Sequence, residues 1–144
     1  MLQLLNYASG GGAQSNYVYI ETEPFRLSDN GVTIYYLMAL TNTMENETSY
    51  VLISKETLNE RYTKFDINLS SVPVPALGAI DLGRAEGFFS WILYEQTSNS
   101  NLDPTDSSVV GTLNTGSAYL RNPVSEVSFT EYSTTDTNTV YVNE

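Results

Sequence analysis

Apolar residues in this chain recur mostly at every second position. In YVYIETE (17–23) Val18 and Ile20 alternate with Tyr17 and Tyr19. In TIYYLMALT (33–41) Ile34, Tyr36, Met38 and Leu40 share one face, while Tyr35, Leu37 and Ala39 take the other. A period of two is that of a β-strand, whose successive side chains point to opposite faces. Apolar groups on both faces of 33–41 predict a strand buried on both sides. The same reading predicts strands at 50–54, 61–69, 79–83, 88–96, 117–121, 124–132 and 139–142. β-branched and aromatic residues fill these runs, as a pleated, half-buried surface prefers.

Turn chemistry separates the runs. Asp29-Asn30-Gly31 predicts a hairpin, because these residues tolerate positive φ between two apolar stretches. Gly10-Gly11-Gly12 reads as a flexible loop and Asn114-Thr115-Gly116 as another turn. Pro73 and Pro75 cannot donate to a ladder, so their segment belongs at an edge or in a crossover. The one helical candidate is a single turn near SKETLNER (54–61). Many short strands between frequent turns predict an all-β fold. An antiparallel β-sandwich, Ig-like or jelly-roll-like, is the first expectation and a barrel the alternative.

At 144 residues the chain is one domain's worth. Residues 1–16 read as an N-terminal arm, 17–121 as the sandwich domain, and 122–144 as a C-terminal extension with a final short strand. From Asn122 onward the sequence has four acids (Glu126, Glu131, Asp136 and Glu144) and no basic residue. The densest apolar run, GFFSWILYEQ, stops abruptly at a polar segment. Alternation points Phe89, Trp91 and Leu93 to the main core, and Phe88, Ile92 and Tyr94 to a second apolar layer. The polar residues after Gln96 then form a loop outside the core.

Charge narrows the function classes. Lys and Arg number 6 against 17 Asp and Glu, for a net charge of −11. Such a surface cannot neutralise phosphates and release their counterions, which excludes direct nucleic-acid binding as an expectation. An anionic membrane surface repels it likewise. With no Cys and no His, disulfides, thiolate or imidazole metal sites and Ser-His-Asp triads are impossible. The start MLQLLNYASGGG lacks a basic region and a sustained apolar stretch, and reads as neither signal peptide nor membrane anchor.

The remaining chemical motifs have plainer structural explanations. GAIDLGRA (78–85) has the GxxxxG skeleton of a phosphate loop, but Arg84 and Ala85 stand where Lys and Ser or Thr are needed, so it reads as a tight turn. NSNLDPTD (99–106) spaces Asn99, Asn101 and Asp103 like a calcium loop, yet Pro104 sits where the loop needs Gly. A turn with Pro104 at its second place is the ordinary reading. Nothing in the spacing of Asp66, Asp81, Glu86 and Glu95 selects a glycosidase pair. No enzyme activity and no cofactor are expected. Tyr35, Tyr36, Trp91 and Tyr94 are the flat faces available to a sugar-stacking site.

The order of segments resembles a group of small virion-associated proteins of tailed bacteriophages. Their pattern has a strand ending in Thr-Asn, then RYxxFxI, then G-[FY]-[FWY]-x-[WY]-x-[IVL]-Y-E-Q with an Asn-Asp-Pro turn. Here Thr41-Asn42 fits, as do Arg61, Tyr62, Lys64, Phe65 and Ile67. Gly87, Phe88, Trp91, Leu93, Tyr94, Glu95 and Gln96 follow the third element, with Asn101, Asp103 and Pro104 as the turn. The closing element departs, since Asn114 stands where the pattern has an acid. The resemblance implies a non-enzymatic structural protein of the virion, made in the host bacterial cytoplasm. A capsid-associated auxiliary or decoration subunit is the favoured expectation, a head-to-tail connector, neck or tail component the second, and a carbohydrate-binding module for host attachment the third. The major capsid protein or neighbouring virion proteins are the expected partners, in a homo-oligomer or an assembly-bound form. Arg61, Tyr62, Phe65, Trp91, Tyr94, Glu95 and Tyr141 are the candidate structural and interface residues, with Arg61 paired to a carboxylate such as Glu60 or Glu95.

Overall fold

The structure, a computed structural model, describes residues 1–10, 12–29, 31–58 and 62–123. Eight strands run in chain order: β1 (Leu2–Leu5), β2 (Ala13–Ile20), β3 (Tyr35–Asn42), β4 (Thr48–Leu58), β5 (Thr63–Ser70), β6 (Ala79–Ile80), β7 (Gly87–Gln96) and β8 (Val109–Arg121). They form one mixed sheet in the order β1-β8-β7-β3-β4-β5-β2, with β6 on β5. The sheet curls until it nearly closes into a barrel. All-β is the class predicted, and of the two architectures the chain takes the barrel-like one.

A single long strand explains how sandwich and barrel signals meet. The first half of β4 pairs with β3 from Thr48 to Ile53, and its second half with β5 from Ser54 to Leu58. The register shifts between Lys55 and Thr57, the kind of bulge by which a strand turns a corner. β4 thus carries the sheet round onto itself. The helical turn expected at 54–61 is replaced by β4 as far as Leu58, because pairing with β5 outweighs local helix preference.

The inner face holds one apolar cluster. Val18, Ile20, Met38, Leu40, Val51, Phe65, Ile67, Leu93 and Leu120 are all buried in it. Each such side chain contributes about 1.5–3 kcal/mol by leaving water. β3 lies at the sheet's centre and is buried on both sides as predicted, with Leu37 and Ala39 inaccessible on the outer face. β7 departs from the expectation of a second layer. Phe89, Trp91 and Leu93 are buried, but Phe88 is exposed and Ile92 and Tyr94 are only half-buried. On the outer face Ile92 and Tyr94 lie opposite the buried Ala39 and Leu37 of β3, and only Phe88, toward the start of β7, meets solvent.

Three further expectations change. The supposed arm at 1–16 supplies β1 and the first half of β2, with β1 parallel to β8 from Leu2↔Ala118 to Leu5↔Arg121. The Asp29–Val32 turn forms, with the Val32 N–H on the Asp29 carbonyl, but it joins no hairpin: β2 pairs with β5, and β3 with β4 and β7. Asn114-Thr115-Gly116 lies inside β8, paired with Leu93, Ile92 and Trp91. Pro73 and Pro75 do sit in a crossover, between β5 and β6, which pair parallel. The strands expected at 124–132 and 139–142 lie outside the described residues.

A candidate interaction site at the barrel seam

Consecutive strands β1 and β2 are the two edges of the sheet, and they flank the seam where the barrel would shut. Among the described residues no ladder joins them. Asn16 bridges them: its carboxamide accepts the Leu5 N–H at 2.7 Å and donates to the Leu5 carbonyl at 2.9 Å. An amide can do this because it carries the same donor and acceptor as a peptide group. The loop leading out of β1 is held elsewhere. Asn6 donates to the Gly83 carbonyl and to Asn122 Oδ1, and the Tyr7 hydroxyl reaches Asp81 Oδ1 at 2.9 Å. The Arg84 guanidinium lies 4.9 Å from the Tyr7 ring centre and donates to the Tyr7 carbonyl. The hydrogen bond to Asp81, with burial adding to it, pushes the Tyr7 hydroxyl pKa up.

Away from Asn16 the seam opens into a cleft of about 360 Å³, more than ten times the ~30 Å³ share of one water. Met1 and Leu2 form one wall, Tyr19 to Glu21 and Tyr62 the other, and Trp91 with 114–117 the floor. Asn114 spans the cleft by donating to the Glu21 carbonyl at 3.0 Å. The indole of Trp91 lies on Gly116 of the neighbouring strand, and its Nε1 donates to the Ser117 carbonyl at 3.1 Å. A Cβ at Gly116 would stand 2.6 Å from the indole, so only glycine leaves the ring room.

Beside the cleft, the outer face of the β2–β5 ribbon carries a small aromatic platform. Register sets Tyr17 opposite Asp66 and Tyr19 opposite Lys64. Tyr17, Tyr19 and Tyr62 are 53%, 57% and 42% exposed, unusual for rings of this size on a barrel with a closed core. The Lys64 ammonium sits 4.4 Å from the Tyr17 ring centre, a cation–π contact that holds the lysine along the platform.

The sequence-predicted residues scatter. Tyr62 and Trp91 meet at the cleft. Phe65 is fully buried in the core, edge-on to Tyr36 at 4.9 Å. Tyr94 is half-buried on the outer face of β7. Glu95 is fully buried at one end of the barrel, where its Oε1 accepts the Leu27 N–H at 2.9 Å and its Oε2 the Ser28 hydroxyl. Gln96, also fully buried, donates to the Ser98 and Asn101 carbonyls and accepts from Asn101 at 2.9 Å. Glu95 and Gln96 therefore anchor two loops. Arg61 and Tyr141 lie outside the described residues, as does any pairing of Arg61. Asn16, Tyr17, Tyr19 and Gly116 were not singled out as site residues, although the alternation in YVYI already put both tyrosines on one face.

The polar segment after β7 is a loop, as expected. Asp106 N–H reaches the Asp103 carbonyl at 3.1 Å around Pro104. Asp103 Oδ1 accepts the Thr105 hydroxyl and N–H, and Asp106 Oδ2 the Ser108 hydroxyl and N–H. Each hydroxyl, then each N–H, holds its carboxyl below the ordinary aspartate range. Asn101 and Asp103 thus direct an oxygen apiece into local turns. Among the described residues no three acidic side chains gather as a metal-binding group.

No protein-family model matches this chain, and no curated protein or solved structure is significantly similar to it.

Proposed function

We propose that this protein is a non-enzymatic structural subunit of a tailed-bacteriophage particle, associated with the capsid as an auxiliary or decoration protein. One observation carries the reading: the sheet's two edges are left open to a cleft rimmed by exposed tyrosines. Unpaired edges template pairing with another chain, and natural folds normally cover or charge them. Tyrosine is the residue that gives large contact area at low entropic cost in such interfaces. The seam supports docking on the major capsid protein or on neighbouring copies without a cofactor. A connector, neck or tail position uses the same surface in a ring. Quantitative mass spectrometry of purified particles tests the proposal, by counting copies against the major capsid protein. Copies in the hundreds support the shell, a single ring's worth the neck, and absence from the particle refutes the virion reading.

A carbohydrate-binding role is favoured by a different feature, the Tyr17–Tyr19–Tyr62 platform. Trp91 is buried, so the stacking surface moves from the expected residues to these three. Tyrosine faces suit the apolar faces of pyranose rings, with Lys64 and Asp66 supplying polar contacts. A glycan array read with the wild type and with Tyr17→Ala/Tyr19→Ala checks it; no glycan lost by the double variant ends this reading.

A further inference from the structure

We propose that the β1–β2 seam is a strand-acceptor site, and that its occupant is the segment VSEVSFTEY (124–132) of a second copy of this chain. The inference deepens the assembly reading and rests on it only in supposing that copies meet.

Four observations converge. The first is that the sheet stops at β1 and β2 and the only seam closure described between these two edges is Asn16, leaving a gap at the Leu2–Tyr19 end. The second is the cleft there, floored by the Trp91 ring and large enough for more than one apolar side chain. The third is the chain that follows Pro123: 21 residues, of which 124–132 place Val127 and Phe129, flanked by Ser125 and Glu131, on one face of an extended segment and Val124, Glu126 and Tyr132 on the other. If Val127 and Phe129 enter the cleft, Glu126 comes to the outer face, where Lys64 stands on the Tyr17 ring. The fourth is direction. β1 and β8 run parallel, and successive antiparallel pairings from β8 to β2 make β2 antiparallel to both. The chain leaves β8 at Arg121–Asn122, beside Asn6 and the Asn16-closed end of the seam. A chain's own segment turning back from there would run parallel to the part of the β2 edge beyond Asn16, Tyr17 to Ile20. A segment from another copy can enter at the open end and run antiparallel to it, the more stable pairing.

The test uses full-length chains. Val127→Pro/Phe129→Pro removes two donor N–H groups from the segment and touches nothing in the described core. The weight-average mass of the wild type, by light scattering, is expected to rise with concentration, while the proline variant stays monomeric with an unchanged far-UV spectrum. A fluorescein-labelled peptide of residues 124–132 is expected to bind the proline variant, whose acceptor is empty, and to lose at least tenfold in affinity when Tyr19→Asp is added. Equal masses for wild type and proline variant, or no binding of the peptide, overturn the proposal. A monomeric wild type that refuses the peptide while the proline variant accepts it also overturns it, in favour of the chain's own segment. None of these outcomes depends on whether particles contain the protein, so the proposal and the virion reading fail separately.

Discussion

Gly116→Ala is the sharpest test of how the seam is built. The added methyl would stand 2.6, 2.8 and 2.9 Å from three atoms of the Trp91 indole, where ordinary contact begins at 3.4 Å. The ring must therefore retreat by about 0.8 Å into packed neighbours, and overpacking of this kind costs roughly 1–3 kcal/mol. Retreat also draws Nε1 from the Ser117 carbonyl, a hydrogen bond already at 3.1 Å and worth about 1 kcal/mol. A loss of about 2–3 kcal/mol follows. With a urea slope of roughly 1–3 kcal/mol per molar, the midpoint falls by about 1 M. Trp91 is the sole tryptophan, so its fluorescence reports both the unfolding and the local environment. In a Trp91→Leu background, followed by far-UV circular dichroism, Gly116→Ala should cost less than in the wild type, because the smaller side chain removes the clash, and the difference measures the contact. A midpoint shift under about 0.2 M for Gly116→Ala, with an unchanged emission maximum, would falsify the placement of the indole on β8.

Other consequences are as direct. Glu95→Ala strands the Leu27 N–H and the Ser28 hydroxyl at the barrel end and should cost about 2–4 kcal/mol in denaturant midpoints, whereas Glu95→Gln keeps one acceptor and should cost less; equal losses in the two variants contradict the assignment. Because the folded pKa values of Asp103 and Asp106 are depressed, their contribution is complete above the unfolded value near ~3.9 and fades as pH falls through the folded ones. Asp103→Asn/Asp106→Asn should flatten the acid limb of the stability curve in that window, and an unaltered limb in thermal melts argues against these turns. Tyr7 has the opposite sign: its raised pKa means the contribution is intact below the unfolded value near ~10 and lost as pH rises through the folded one. Tyr7→Phe should show less alkaline loss of stability above about pH 10, where the ordinary phenol ionises, than the wild type, and identical alkaline profiles would count against the bond to Asp81.

The sequence by itself determined the class and most of the strands. Alternation is a local property, so β3, β5 and β7 were legible within a residue or two, and β3 at the centre was legible from apolar groups on both faces. The prolines at 73 and 75 marked a crossover because a missing N–H is written in the residue. What tertiary structure alone decided was pairing. Leu2, Leu4 and Leu5 give no sign that they join β8 in parallel, since the partner lies more than a hundred residues away. Asn114-Thr115-Gly116 has turn chemistry, yet Gly116 serves to admit an indole from the next strand, a need set by the neighbour and not by the segment. SKET turned from helix candidate to strand because β5 stood ready to pair with it. How far the outer face of β7 is covered was decided the same way: Ile92 and Tyr94 are half-buried beside Ala39 and Leu37 of β3, while Phe88 is left to solvent. The candidate site followed from that closure. Tyr17 and Tyr19 were visibly on one face of a strand, but only the order of strands made that strand an edge, and only the failure of β1 to pair with it left a seam.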